Sequence, residues 1–101
     1  MKLFLKNLFN HKYKIIYLEN FIENNKFDKW NVLEFKNVNY HEKKHFPQSY
    51  QIDYLKRNEQ IQNLNKNDFY IINDEFVIAK MWAKHLHNLG FKHIAILIWS
   101  D

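Results

Sequence analysis

The chain has 101 residues, 47% of them hydrophobic and 18% aromatic, with a formal net charge of +4. That length allows one domain over residues 1–101 with a single core, and the apolar content excludes a disordered tail. The absence of cysteine excludes a disulfide framework, a thiolate nucleophile and a Cys-ligated zinc, and fits a reducing compartment.

The basic balance favours nucleic acid, anionic lipid or an acidic protein as partner, with the location of the charge mattering more than its total. No apolar run approaches the roughly 18 residues of a spanning helix, and no signal-type apolar core follows the Lys-bearing N-terminus. A cytoplasmic protein without a membrane partner is therefore expected. Asn, Lys, Ile, Phe and Tyr dominate and Gly, Pro, Ala and Arg are scarce. Those residues have A/T-rich codons, which suggests an A/T-rich genome or one of its mobile elements.

In residues 1–10, Met1, Phe4, Leu5 and Leu8 recur at helical spacing, with Lys2 and Lys6 elsewhere on the turn. This is a short helix or an edge strand, read either as a cap on the domain's own core or as a basic amphipathic anchor. No acid precedes Glu19, so Lys2, Lys6, Lys12 and Lys14 form the most one-sided charge segment. Residues 13–22 and 30–40 are rich in aromatic and β-branched side chains, and the polar stretch 23–29 between them reads as a turn. The expectation is an antiparallel hairpin, with Leu33 and Phe35 on a buried face, Glu34 and Lys36 on a wet one, and a bulge or end near Asn37.

Pro47 suits the first turn of a helix, and residues 48–64 contain no further Gly or Pro. In such a helix Tyr50, Tyr54, Ile61 and Leu64 share one face, while Ile52 and Leu55 point away, so it is covered on two sides or presents apolar surface to a partner. Two short apolar runs then flank an amphipathic segment. Phe69, Tyr70, Ile71 and Ile72 stop at Asn73-Asp74; a helix follows to Leu89 and closes on Gly90; Ile94 to Trp99 form the second run. This reads as two parallel strands joined by a right-handed crossover helix. Asn73 or Asp74 would cap that helix, and Glu75 suits the positive end of its dipole. Ile78, Ala79, Trp82, Leu86 and Leu89 form the expected buried stripe, with Lys80, Lys84 and His87 opposite. The fold class is thus α/β, with α+β as the variant: a small mixed sheet of about four strands, an N-terminal antiparallel hairpin, a helix, and a strand-helix-strand unit.

His41-Glu42-Lys43-Lys44-His45 matches H-E-x-x-H, in which two His one helical turn apart hold Zn²⁺ and the Glu activates its water. The setting argues against a zinc hydrolase. Strand-like residues precede the motif, Pro47 follows at once, two lysines stand beside the site, and only the distant Glu59 offers a third ligand. The same segment could serve a small metal-free ribonuclease through His41, Lys43, Lys44 and His45. His85 and His87 are two apart on a helix and diverge, while His93 opens the last strand. A single Gly cannot build a phosphate loop, and neither Ser49 nor Ser100 sits in a nucleophile elbow. No catalytic set, metal site or cofactor is expected.

The basic ridge of Lys80, Lys84 and His87, extended by Lys92, is the more useful feature. Lysines four apart on a helix repel by about 0.2–0.5 kcal/mol, which an anionic partner would remove, although a solvated face accounts for them as well. Residues 69–99, above all the segment MWAKHLHNLGFKHIAILIW, resemble the middle of STAS domains of the anti-sigma-factor-antagonist type and their SEC14-like cousins. The resemblance implies a non-enzymatic α/β module that regulates a protein partner. Phosphorylatable STAS members carry Ser or Thr where the helix begins; Asn73-Asp74-Glu75 stands there here.

The expected function is a small non-enzymatic binding protein that docks on a protein or nucleoprotein. Its most concrete form is an inhibitor of a host-defence nuclease, of the anti-CRISPR-like kind carried by mobile elements. The alternative is direct RNA or DNA binding through Lys2, Lys6, Lys12, Lys43, Lys44 and the Lys80/Lys84/His87/Lys92 ridge, and the enzyme readings at residues 41–45 come after it.

Overall fold

The structure, a computed structural model, describes residues 13–23, 27–35 and 49–99. In chain order these form β1 (Lys14–Tyr17), α1 (Leu18–Glu23), β2 (Trp30–Phe35), β3 (Tyr50–Ile52), a 3₁₀ turn (Tyr54–Lys56), α2 (Arg57–Gln62), β4 (Phe69–Ile72), α3 (Phe76–Asn88) and β5 (His93–Ile98). The five strands make one sheet of order β1-β5-β4-β2-β3, and every pairing is parallel.

The unit from β4 to β5 forms as its sequence indicates. The two apolar strands are adjacent, with Tyr70 opposite Ile94 and Ile72 opposite Ile96, and α3 is the crossover that parallel neighbours require. Gly90 terminates the helix at φ +99°, a conformation that only glycine adopts without strain. The Gly90 N–H donates to the His87 carbonyl and the Phe91 N–H to the Leu86 carbonyl, so the last turn closes in a Schellman motif.

The N-terminal half corrects the expected hairpin and mixed sheet. β1 pairs with β5, and β2 lies between β4 and β3, so the two strands are not neighbours. Residues 18–22 belong to α1, because Leu18, Phe21 and Phe27 pack on the sheet face formed by Ile16, Trp30, Val32, Ile71, Ala95 and Leu97. A helix between two strands allows them to run parallel, whereas a tight polar turn would have reversed the chain. The expected helix over residues 48–64 is also corrected. Tyr50–Ile52 add to the β2 edge, with Ile52 opposite Phe35, and helix begins only after Asp53. Ile52 departed from the helical face because it is a strand residue, and it is buried in the core.

Strand alternation divides the interior in two. One layer joins Leu33, Phe35, Tyr70, Ile72, Ile94 and Ile96 to Ile61 of α2 and to Ala79, Ala83 and Leu86 of α3; the other is the face covered by α1. Counting β2 as the first strand and β1 as the last turns the order into 2-1-3-4-5, a doubly wound arrangement with its N-terminal strand moved from the end. In such sheets the strand order reverses between β2 and β4, and the crevice at their carboxyl ends is where ligands ordinarily sit.

Candidate functional site

At that reversal point the chain places a buried polar cluster. Leu33 is opposite Ile72 in the β2–β4 ladder and the Asn73 N–H donates to the Leu33 carbonyl, so the next residues, Glu34 and Asn73, come side by side. Both are fully buried, as is Asp74. The Ser49 hydroxyl donates to Glu34 Oε1 at 2.5 Å and Asn73 Nδ2 donates to Glu34 Oε2 at 2.7 Å. Trp99 Nε1 in turn donates to Asn73 Oδ1 at 2.6 Å. One carboxylate and one amide thus tie together the ends of β2, β4 and β5 and the start of β3. A buried charge is tolerable when both of its oxygens accept hydrogen bonds.

This corrects two readings. Glu34 is not on a wet strand face; it continues the α1-side face of Trp30 and Val32, where Ser49 and Asn73 satisfy it. The N-cap position of α3 is Glu75 rather than Asn73 or Asp74. Asn73 points into the cluster, Asp74 Oδ1 accepts from the Glu75 N–H at 2.7 Å, and the N-cap residue Glu75 makes no side-chain cap bond. The two carboxylates that the described residues bring to this cluster, Glu34 and Asp74, are both buried. The chemistry of the cluster is that of a clasp.

The open surface lies on α3. Its buried stripe is Ala79, Ala83 and Leu86, one position round from the expected one, because the two alanines let the helix approach the sheet closely. Ile78 and Trp82 are therefore only half-buried and Leu89 is exposed. Val77 and Met81, one turn apart, are 65% and 67% exposed, too open to belong to the core. Beside them runs a groove of about 490 Å³ with Tyr54, Arg57 and Asn58 on one wall and Ile78, Met81, Trp82 and His85 on the other. Its aromatic floor is fixed. Trp82 stacks on the buried Phe35 ring at 3.9 Å, nearly parallel, and meets Tyr54 edge-on at 6.4 Å. Arg57 lies 4.3 Å over the Tyr54 ring, and its guanidinium donates to the Tyr54 carbonyl at 2.6 Å.

Lys80, Lys84, His87 and Lys92 are exposed, as expected. Lys80 and Lys84 fall on the same helical stripe as Val77 and Met81, and Lys80 Nζ leans over the Phe76 ring at 4.7 Å. The structure thus joins these two lysines to apolar neighbours that sequence reasoning had not singled out. Lys2, Lys6, Lys12, Lys43, Lys44 and the H-E-x-x-H segment 41–45 lie outside the described residues. Among the described residues no group of three or more His, Asp or Glu side chains is placed to hold a metal ion. None of their helices is long and apolar enough to cross a membrane. His93 stacks on Phe69 at 3.9 Å and His85 meets Trp82 edge-on at 5.9 Å, which are packing roles.

Compared with known proteins, the chain matches no family model, no curated sequence and no solved structure.

Proposed function

We propose that this chain is a non-enzymatic binding module that docks on a protein partner through the exposed face of α3 and its groove. The observation that carries the reading is the pair Val77 and Met81, large apolar side chains in open solvent beside a pre-formed aromatic groove. An apolar groove with a few fixed polar groups is the usual form of a recognition surface. The hydrogen-bonded, buried state of Glu34 and Asn73 is in keeping with the same reading, since these polar groups are engaged with one another at the strand ends. The resemblance of residues 69–99 to STAS modules also implies partner regulation. The absence of cysteine suits a cytoplasmic setting. Inhibition of a host-defence nuclease is the narrower form of the proposal, resting on size, basicity and composition.

The test is capture from lysate by wild-type protein and by Met81→Asp, with and without ribonuclease. Docking predicts a stoichiometric protein held by the wild type regardless of ribonuclease and lost with the variant. No stoichiometric partner in either condition would remove the proposal. A partner released by ribonuclease would replace it with nucleic-acid binding through the Lys80/Lys84/Lys92 ridge.

A further inference from the structure

We infer that the occupant of the α3 groove is an acidic amphipathic helix of a partner protein. The inference rests on the docking proposed above and adds the chemistry of what docks. From Val77 to His85 the helix rises about 12 Å, so the groove accommodates roughly two turns of a helix laid along it. Its floor is apolar and rigid, with Trp82 held between Phe35 and Tyr54. A partner must therefore present an apolar stripe.

The rim decides the rest. The 3₁₀ turn, α2 and α3 together carry Lys56, Arg57, Lys80 and Lys84 against one carboxylate, Glu59. Three acids precede these helices: Asp53 accepts from the Leu55 N–H, Asp74 is buried and accepts from the Glu75 N–H, and Glu75 stands at the amino end of α3. Lys80 and Lys84 border Val77 and Met81 directly, so an occupant that covers the apolar pair brings its own flanks against both cations. Carboxylates on those flanks relieve the repulsion between the two lysines. A second copy of this chain fits badly, because a two-fold contact of this face with itself would bring Lys80 and Lys84 of both copies, four cations of like sign, into one interface. Nucleic acid would meet the lysines but leave Val77 and Met81 without an apolar partner.

The test uses two helical peptides of one design, with Leu and Phe at i, i+3/i+4 and i+7, flanked by Glu in one and by Lys in the other. Binding to the full chain is followed by amide and indole NMR shifts at low and high salt. The Glu peptide should shift Val77, Met81, His85 and the Trp82 indole, and weaken as salt rises. Lys84→Glu should weaken it about fivefold and favour the Lys peptide, as reversal of one exposed charge pair predicts. Met81→Asp should weaken both peptides by more than about tenfold. Equal affinity for the two peptides, or shifts elsewhere, would overturn the inference, as would self-association that Met81→Asp abolishes. A lysate partner that depends on Met81 but ignores Lys84→Glu would leave docking standing and remove only the acidic helix.

Discussion

Asn73→Ala tests whether the buried cluster holds the sheet together. The side chain bridges Glu34 Oε2 at 2.7 Å and Trp99 Nε1 at 2.6 Å, and truncation takes this partner from both. A buried polar group that loses a hydrogen bond costs about 1–3 kcal/mol, and more when it is a carboxylate, so about 3–5 kcal/mol is expected in total. That is a large fraction of the stability of a domain this size. In urea, with a slope of about 1.5 kcal/mol/M, the midpoint should fall by at least about 2 M. The control is Asn31→Ala, whose Nδ2 makes a single 3.1 Å bond to the Phe69 carbonyl and should be worth about 1 kcal/mol. If Asn73→Ala costs no more than Asn31→Ala, the clasp is wrong. Asn73→Asp adds a sign test. It sets a carboxylate against Glu34, which raises the folded-state affinity of the pair for a proton, so the variant should lose stability as pH rises and regain it on mild acidification.

Three further outcomes follow from local geometry. Gly90→Ala should lower stability by about 1–2 kcal/mol, because the nearest atom to a new Cβ, Lys66 Cδ at 3.8 Å, is an ordinary contact and the penalty is that of a left-handed backbone; Gly90→Asn should cost less by the same denaturation assay. Phe35→Ala should cost about 3–5 kcal/mol, since a fully buried ring disappears, and should change Trp82 fluorescence by removing the ring stacked on it. Tyr70 is held protonated above its ordinary range, chiefly by burial and then by Asp68 and Tyr50. Its contribution is therefore complete below about pH 10 and disappears as pH rises through the higher folded-state value. Tyr70→Phe should flatten that alkaline loss in a pH series of unfolding midpoints.

The β4-α3-β5 unit was legible because three signals agree within 31 residues: unbroken apolar runs, a helical period between them, and Asn73 and Gly90 at the joints. The edge strands were not. β1 and β3 have 4 and 3 residues, too few for a period to declare itself, and β1 runs straight into α1 without a breaker. Glu34 misled because alternation assigns a polar strand residue to solvent, while its partners Ser49 and Asn73 lie 15 and 39 residues away in the sequence. Tertiary satisfaction of that kind has no local signature. On α3, hydrophobicity drew the buried stripe through Ile78, Trp82 and Leu89. Close packing instead centres it on Ala79 and Ala83, and that rotation brings Met81 and Val77 into the open.

The rotation separates folding from docking on a single helix, and this can be measured. Ala79, Ala83 and Leu86 have no exposed surface, so they carry the attachment of α3 to the sheet. Val77 and Met81 retain most of theirs, and surface substitutions away from core, caps and special backbone usually lie within about 0.5 kcal/mol. Val77→Ser with Met81→Ser should therefore unfold within about 1 kcal/mol of the wild type, allowing for the lower helix propensity of Ser than Met. Ala83→Ser alone, which buries a hydroxyl among apolar neighbours, should cost about 1–3 kcal/mol. If the double variant loses more than Ala83→Ser, Val77 and Met81 belong to the core and the exposed face disappears as a docking surface. If it keeps its stability and loses the Glu-flanked peptide, then folding does not require these two side chains, and binding does.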